Sequence, residues 1–148
     1  MILDFLNEFG ADEAVAGAAA TRNVGDVIDL LATVGGDVGS YPPIYWYIKI
    51  DTAPTGATTV EFKLVTDSTG TPAVDGSATQ LVSTGAIPIA SLPAGTVLAF
   101  PLPHGIVSER YLGLQCTNVG ASALATLVVT SGLTLTPPAW RAYPEGAN

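Results

Sequence analysis

The chain has little with which to do chemistry. Its 148 residues include one histidine, His104, one cysteine, Cys116, and five Lys or Arg. Between Gly76 and Trp140 only Glu109 and Arg110 carry charge. Most catalysis needs titratable groups held close together, so this scarcity points away from an enzyme. A lone cysteine forms no intramolecular bridge. Alternation places Cys116 on the face of Leu112 and Leu114, which reads as a small buried thiol, since a reactive one needs an exposed, electropositive setting. His104 and Cys116 together fall short of a catalytic zinc set. No P-loop, Gly-x-Gly-x-x-Gly, Gly-x-Ser-x-Gly or His-Glu-x-x-His pattern occurs. No catalytic residue, metal or cofactor is therefore expected. His104, between Pro103 and Gly105, reads as a turn or rim residue. Asp67 and Asp75, with Gly70 and Gly76, offer oxygens suited to calcium, but Asp and Gly are also the default residues of turns.

Basic charge is equally sparse. Thirteen acids against five bases give a formal net charge of −8. Affinity for nucleic acid comes mainly from Lys and Arg neutralising phosphates, and anionic lipid attracts the same residues, so neither partner is expected. Seven acids (Asp4, Glu8, Asp12, Glu13, Asp26, Asp29 and Asp37) crowd the first 40 residues, with Arg22 alone to offset them; a solvated, solubilising end is the plain reading. The uncharged stretches are broken by Pro, Gly, Ser and Thr and alternate in polarity, unlike a membrane helix. Asp4 and Glu8 stand where a signal peptide carries basic residues, so a soluble protein made in a cytoplasm is expected.

What the chain does have is a period of two. Residues 44–51 put Ile44, Trp46, Ile48 and Ile50 on one face and Tyr45, Tyr47, Lys49 and Asp51 on the other. Val60, Phe62 and Leu64 alternate with Glu61 and Lys63, and the two segments suit a hairpin with Lys49 and Lys63 near Glu61. Further strands are expected at 27–31, 79–83, 87–90, 96–102, 110–117 and 124–135, with Gly132 marking a bulge or bend in the last. Turn residues recur between them at the spacing of an all-β domain. About eight short strands in one domain suggest a sandwich, jelly roll or closed barrel. The expected organisation is an N-terminal arm over 1–22, a β domain over 23–136 and a tail over 137–148. Residues 1–22 fit either a short helix with Ile2, Leu3, Phe5, Leu6 and Phe9 on one face, or an extended arm that orders on a partner. The tail carries three prolines and the interface-prone Trp140, Arg141 and Tyr143.

Four blocks carry a family resemblance: the opening Met1-Ile-Leu-Asp4, residues 83–96 with their Pro-Ala-Gly turn, the Leu102-Pro103 ending, and residues 109–114 with Glu-Arg-Tyr-Leu. In order and spacing to about Leu135 they resemble the capsid cement (decoration) proteins of tailed bacteriophages, and more narrowly the small jelly-roll cement family of short-tailed phages. The resemblance implies a jelly-roll β-sandwich with terminal arms that binds the outer surface of the icosahedral head. There it would form a homo-oligomer, a dimer before a trimer, bridge neighbouring major capsid proteins, and resist the pressure of packed DNA. It implies no cofactor and no active site. Expected interface residues are Met1, Leu3, Phe5 and Phe9 in the arm, Arg110 and Tyr111 at a strand start, and Trp140, Arg141 and Tyr143 in the tail. Arg110 is expected to pair with Glu109 or another acid.

Two other classes compete. A carbohydrate- or receptor-binding jelly roll on the virion would use Tyr45 or Tyr47 as exposed stacking rings. A hydrolase on a β scaffold would need a buried acid pair, or Ser, His104 and an acid brought together.

Overall fold

The described residues form nine antiparallel strands in two sheets that face each other. The computed structural model describes residues 7–31, 43–103 and 108–135. The strands are β1 (Glu8–Ala14), β2 (Thr21–Asp29), β3 (Tyr45–Thr55), β4 (Thr59–Asp67), β5 (Thr79–Ser83), β6 (Ile87–Pro88), β7 (Val97–Pro101), β8 (Tyr111–Val119) and β9 (Thr126–Thr134). One sheet has the order β1-β9-β3-β7. The other has β2-β8-β4-β5, with β6 also pairing β4. Successive strands alternate between sheets from β1 to β4 and again from β7 to β9. This winding is a jelly roll, the expected class.

Alternation explains the core. Trp46, Ile48 and Ile50 of β3 point inward against Val60, Phe62 and Leu64 of β4 and Leu112, Leu114 and Cys116 of β8, all buried. Burying each large apolar side chain contributes about 1.5–3 kcal/mol. The one polar atom that Trp46 brings is satisfied: its indole N–H donates to Ser131 Oγ at 3.1 Å, and that hydroxyl donates to the Tyr47 carbonyl at 2.7 Å. Burial pushes the Cys116 thiol up to about 12, so it packs as an inert small hydrophobe.

Three expectations change. Residues 8–22 are no arm and no helix: β1 pairs β9, and Phe9 and Val15 are buried in the core. Register shifts between Glu8 and Gly10, and between Gly10 and Glu13, break the period of two that would have marked the strand. The hairpin is absent as well. The chain crosses between sheets at 56–58, so β3 and β4 share no ladder, and the lysines pair along their own strands as Lys49–Asp51 and Lys63–Glu61. Gly132, expected at a bulge or bend, lies in regular register with Tyr47, and the register shift beside it, between its pair with Glu8 and the Gly10–Ser131 pair, comes from the added residue in β1. Its missing Cβ leaves room for the Tyr47 hydroxyl, which would stand 3.1 Å from that atom, and for the Asn7 carbonyl at 2.6 Å.

The sandwich has one tied end and one open end. At the tied end Gly17 and Leu124 exchange backbone hydrogen bonds, both 2.9 Å, and Thr58 N–H donates to the Val119 carbonyl at 2.8 Å. At the other end lie Asn7, Leu31, Tyr45, Pro101, Arg110 and Leu135. Segments 1–6, 32–42, 104–107 and 136–148 all join the described strands there.

The outer face of the second sheet is covered by the chain's own loop, 68–78. Pro72 is buried over Gly113, and Gln115 donates to the Ala73 carbonyl and to Asn23 Oδ1. Asp67 organises this loop. Its Oδ1 accepts from Thr69 N–H at 3.0 Å and its Oδ2 from Ala73 N–H at 3.0 Å, and these backbone donors hold its carboxyl below the usual carboxylate range. Asp75 likewise accepts from the Ser77 hydroxyl and N–H. The two acids are turn acceptors, which is the bland alternative to calcium.

Two outcomes follow. Gly25 has φ +64°, and a Cβ there would stand 2.0 Å from the Phe9 carbonyl oxygen. Gly25→Ala should therefore destabilise by at least ~1–3 kcal/mol and lower the thermal midpoint in calorimetry; an unchanged midpoint would contradict the close approach of β2 to β1. A carboxyl lowered in the folded state contributes stability above its ordinary value, about 3.9, and loses it as pH falls through the folded value. Asp67→Asn should be less stable than the parent at neutral pH, with the gap closing on acidification; a gap constant with pH would show that charge plays no part.

Candidate functional site

Arg110 and Tyr111, expected at an interface, stand together at the open end. The Arg110 guanidinium grips Asp29 with two hydrogen bonds, Nε to Oδ1 at 2.9 Å and Nη2 to Oδ2 at 2.8 Å. It also lies 5.0 Å from the Tyr111 ring centroid. The hydrogen bond from Arg110 holds the Asp29 carboxyl below the usual range. Glu109, adjacent in sequence, is instead in reach of the Thr79 hydroxyl at 3.4 Å. The pair is made by β2 meeting β8, Asp29 opposite Tyr111, a juxtaposition no local reading supplies.

Phe9 does not join them. It is 0% exposed, because the inward face of β1 closes the core, so it is no contact surface. Met1, Leu3, Phe5, Trp140, Arg141 and Tyr143 lie outside the described residues, as does His104. Two described neighbours of these segments lie close together: β1 and β9 pair with Glu8 opposite Gly132, so Asn7 and Leu135 are at the same end of the sandwich.

Two residues missed by sequence reasoning mark the same end. Leu31 is 82% exposed and Leu135 is 63% exposed. Leu31 also has φ +58°, a conformation rare for a branched side chain. Nothing in the run Val27-Ile-Asp-Leu-Leu distinguishes its last residue, since exposure depends on where the strand ends. Beside Leu31, β1 and β2 enclose a groove of about 940 Å³ lined by residues including Glu8, Glu13, Asp26, Val27, Leu30 and Leu31.

The outward face of the first sheet runs in rows: Pro101–Tyr45–Thr134, Ala99–Tyr47–Gly132 and Val97–Lys49–Thr130. Lys49 is ion-paired with Asp51. Burial tends to raise the Asp51 carboxyl, but donation from Lys49 and the Thr130 hydroxyl lowers it overall. Tyr47 is 1% exposed and its hydroxyl has no hydrogen-bond partner; burial, reinforced by the Glu8 charge, pushes it up to about 12. The two tyrosines thus do not form an open stacking platform. No acid is buried among the described residues. No three His, Cys, Asp or Glu side chains among them are placed so that they could hold a metal ion, and no helix among them is long and apolar enough to cross a membrane.

Phe9→Ala separates the core role from a surface one. It should cost about 3–5 kcal/mol, read as a shifted denaturant midpoint; full stability would return Phe9 to the list of contact residues.

In comparisons with known proteins, no curated protein matches. Residues 9–132, from β1 into β9, match the Bbp16 family. The bacteriophage side of the resemblance is thereby supported: the chain belongs to the Bbp16 family, which is phage-related.

Proposed function

We propose that this chain is a structural protein of the phage particle, a cement subunit that binds the outer surface of the head and bridges neighbouring major capsid proteins. The observation that carries this reading is the gathering of Asn7, the exposed Leu31 and Leu135 and the Arg110–Asp29–Tyr111 cluster at one end of a jelly roll. A binding subunit needs such a gathering, because its anchoring groups then act on one target together. Several weak linked contacts give high effective concentration without any single tight one. The β7 edge, with exposed Val97 and neighbouring Ala99 and Pro101, adds uncharged area that costs little to desolvate. A stable contact needs on the order of 1,600 Å² in total, more than the cluster alone supplies, so the reading includes the terminal segments and a homo-oligomer, a dimer in the first instance.

The reading is non-enzymatic and uses no cofactor. The carbohydrate-binding alternative loses Tyr47, which is buried, and is left with the half-buried Tyr45 alone.

The test is reconstitution. Purified protein added to expanded shells stripped of it should bind at saturable stoichiometry and raise the temperature or force at which they rupture. Shells that rupture at the same load with and without the chain would overturn the proposal.

A further inference from the structure

The flank where β1 and β2 run beside each other has more structure than a sandwich edge requires. Each is the edge strand of its sheet, and edges are ordinarily blunted by bulges and charge. Both are bulged here: β1 around Gly10, and β2 between Val24 and Ile28. At Gly25 the strands touch. Around this contact they enclose the groove, with Val27, Ile28 and Leu30 as apolar lining and the exposed Leu31 beside them. Asp29 Oδ1 accepts from Leu31 N–H at 2.9 Å, holding a leucine in water in a backbone conformation it ordinarily avoids.

The charge around the groove is unbalanced. Four described carboxylates line it, Glu8, Glu13, Asp26 and the Arg110-paired Asp29, and no Lys or Arg is among the described lining residues. Every described cation is engaged elsewhere: Arg22 with the Ala18 carbonyl and Asn118, Lys49 with Asp51, Lys63 with Glu61, Arg110 with Asp29. Arg141, the fifth base of the chain, is a single charge against the three carboxylates other than Asp29.

We propose that this groove receives an extended cationic segment of a partner protein, whose Lys or Arg side chains meet Glu8, Glu13 and Asp26 and whose apolar side chain covers Leu30 and Leu31. Because of the bulges in β1, residues 8–13 run opposite only Gly132 to Val129, roughly 10 Å at about 3.3 Å per residue, so the groove takes about three residues of an extended segment. The assignment rests on the reading of the chain as a binding subunit and names the chemistry of one of its contacts.

The probe is a synthetic hexapeptide alternating Lys or Arg with Val or Leu, titrated into the isotope-labelled protein and followed by amide chemical shifts. Shifts should centre on residues 8–13 and 26–31, and affinity should fall from low to physiological salt. E13Q/D26N should weaken binding by about 5–10-fold, as expected for losing two partly exposed pairs. L31S should weaken it in the parent background without altering the salt slope. Any of three results overturns the proposal: no shifts at millimolar peptide, equal binding of a Lys-Ser peptide without apolar side chains, or tighter binding once residues 137–148 are removed, which would make the chain's own tail the occupant. The peptide comparison needs no variant, so it stands even if E13Q/D26N folds poorly. Failure here leaves shell binding untouched, and failure of shell binding leaves the peptide shifts in place.

Discussion

The hydrogen-bonded pairing of β1 with β9 is the constraint on which the rest depends. It joins the first and last of the described strands, Glu8 beside Gly132 and Ala14 beside Val128. Phe9, at its inward face, seals the core on that side. Because the pairing is antiparallel, the residue before β1 and the residue after β9 emerge at the same end. That Asn7, Leu31, Arg110 and Leu135 share one end follows from that topology and from the crossovers. Closing so long a loop costs only a slowly growing entropy, so a strand with weak periodicity can still be held once β9 offers its ladder.

The two sheets then differ in what they leave for a partner. The second covers itself, with the 68–78 loop pinned by Asp67 and by the amides of Asn23 and Gln115. The first sheet presents β7 as a free edge on one flank and β1 on the other. Pro101 lies in β7 and lacks the N–H that strand addition requires. β1 and β2 contain no proline and rely on bulges and carboxylates. One flank is blunted by chemistry that repels any added strand, whereas the other is blunted by charge that selects for the opposite sign.

Much of this was legible in the sequence, for identifiable reasons. Strand 79–83 was read to the residue, and the inward set Trp46, Ile48 and Ile50 was read correctly, because a fully apolar face against a polar one leaves a strong period of two. Cys116 was read from the same alternation. β1 was not, because Gly10 and the bulges around it scramble the alternation and Asp12 adopts a left-handed backbone. The β3–β4 hairpin was misread because strand pairing is a property of sheet topology; a loop of two or three turn residues serves a crossover as well as a hairpin. Of the site, Arg110 and Tyr111 were found through a resemblance of residues 109–114. Asp29 and Leu31 were not, since their importance comes from sheet register and from where β2 stops.

The scarcity of charge between Gly76 and Trp140 now divides by location. Leu92, Leu102, Leu112, Leu114, Leu124 and Leu127 are core, where charge would be costly to bury. Val97, Ala99 and Pro101 are edge, where its absence keeps a contact cheap to desolvate. The acids excluded from this run collect instead on the N-terminal strands, and with every described cation already engaged they leave the β1–β2 flank negative. Like charge on matching flanks discourages free subunits from associating through that flank. A target that supplies cations removes the repulsion as it binds. In the proposed role this separates two states of one molecule: a dispersed acidic subunit in solution, and an assembled one whose charge is neutralised only on the correct surface.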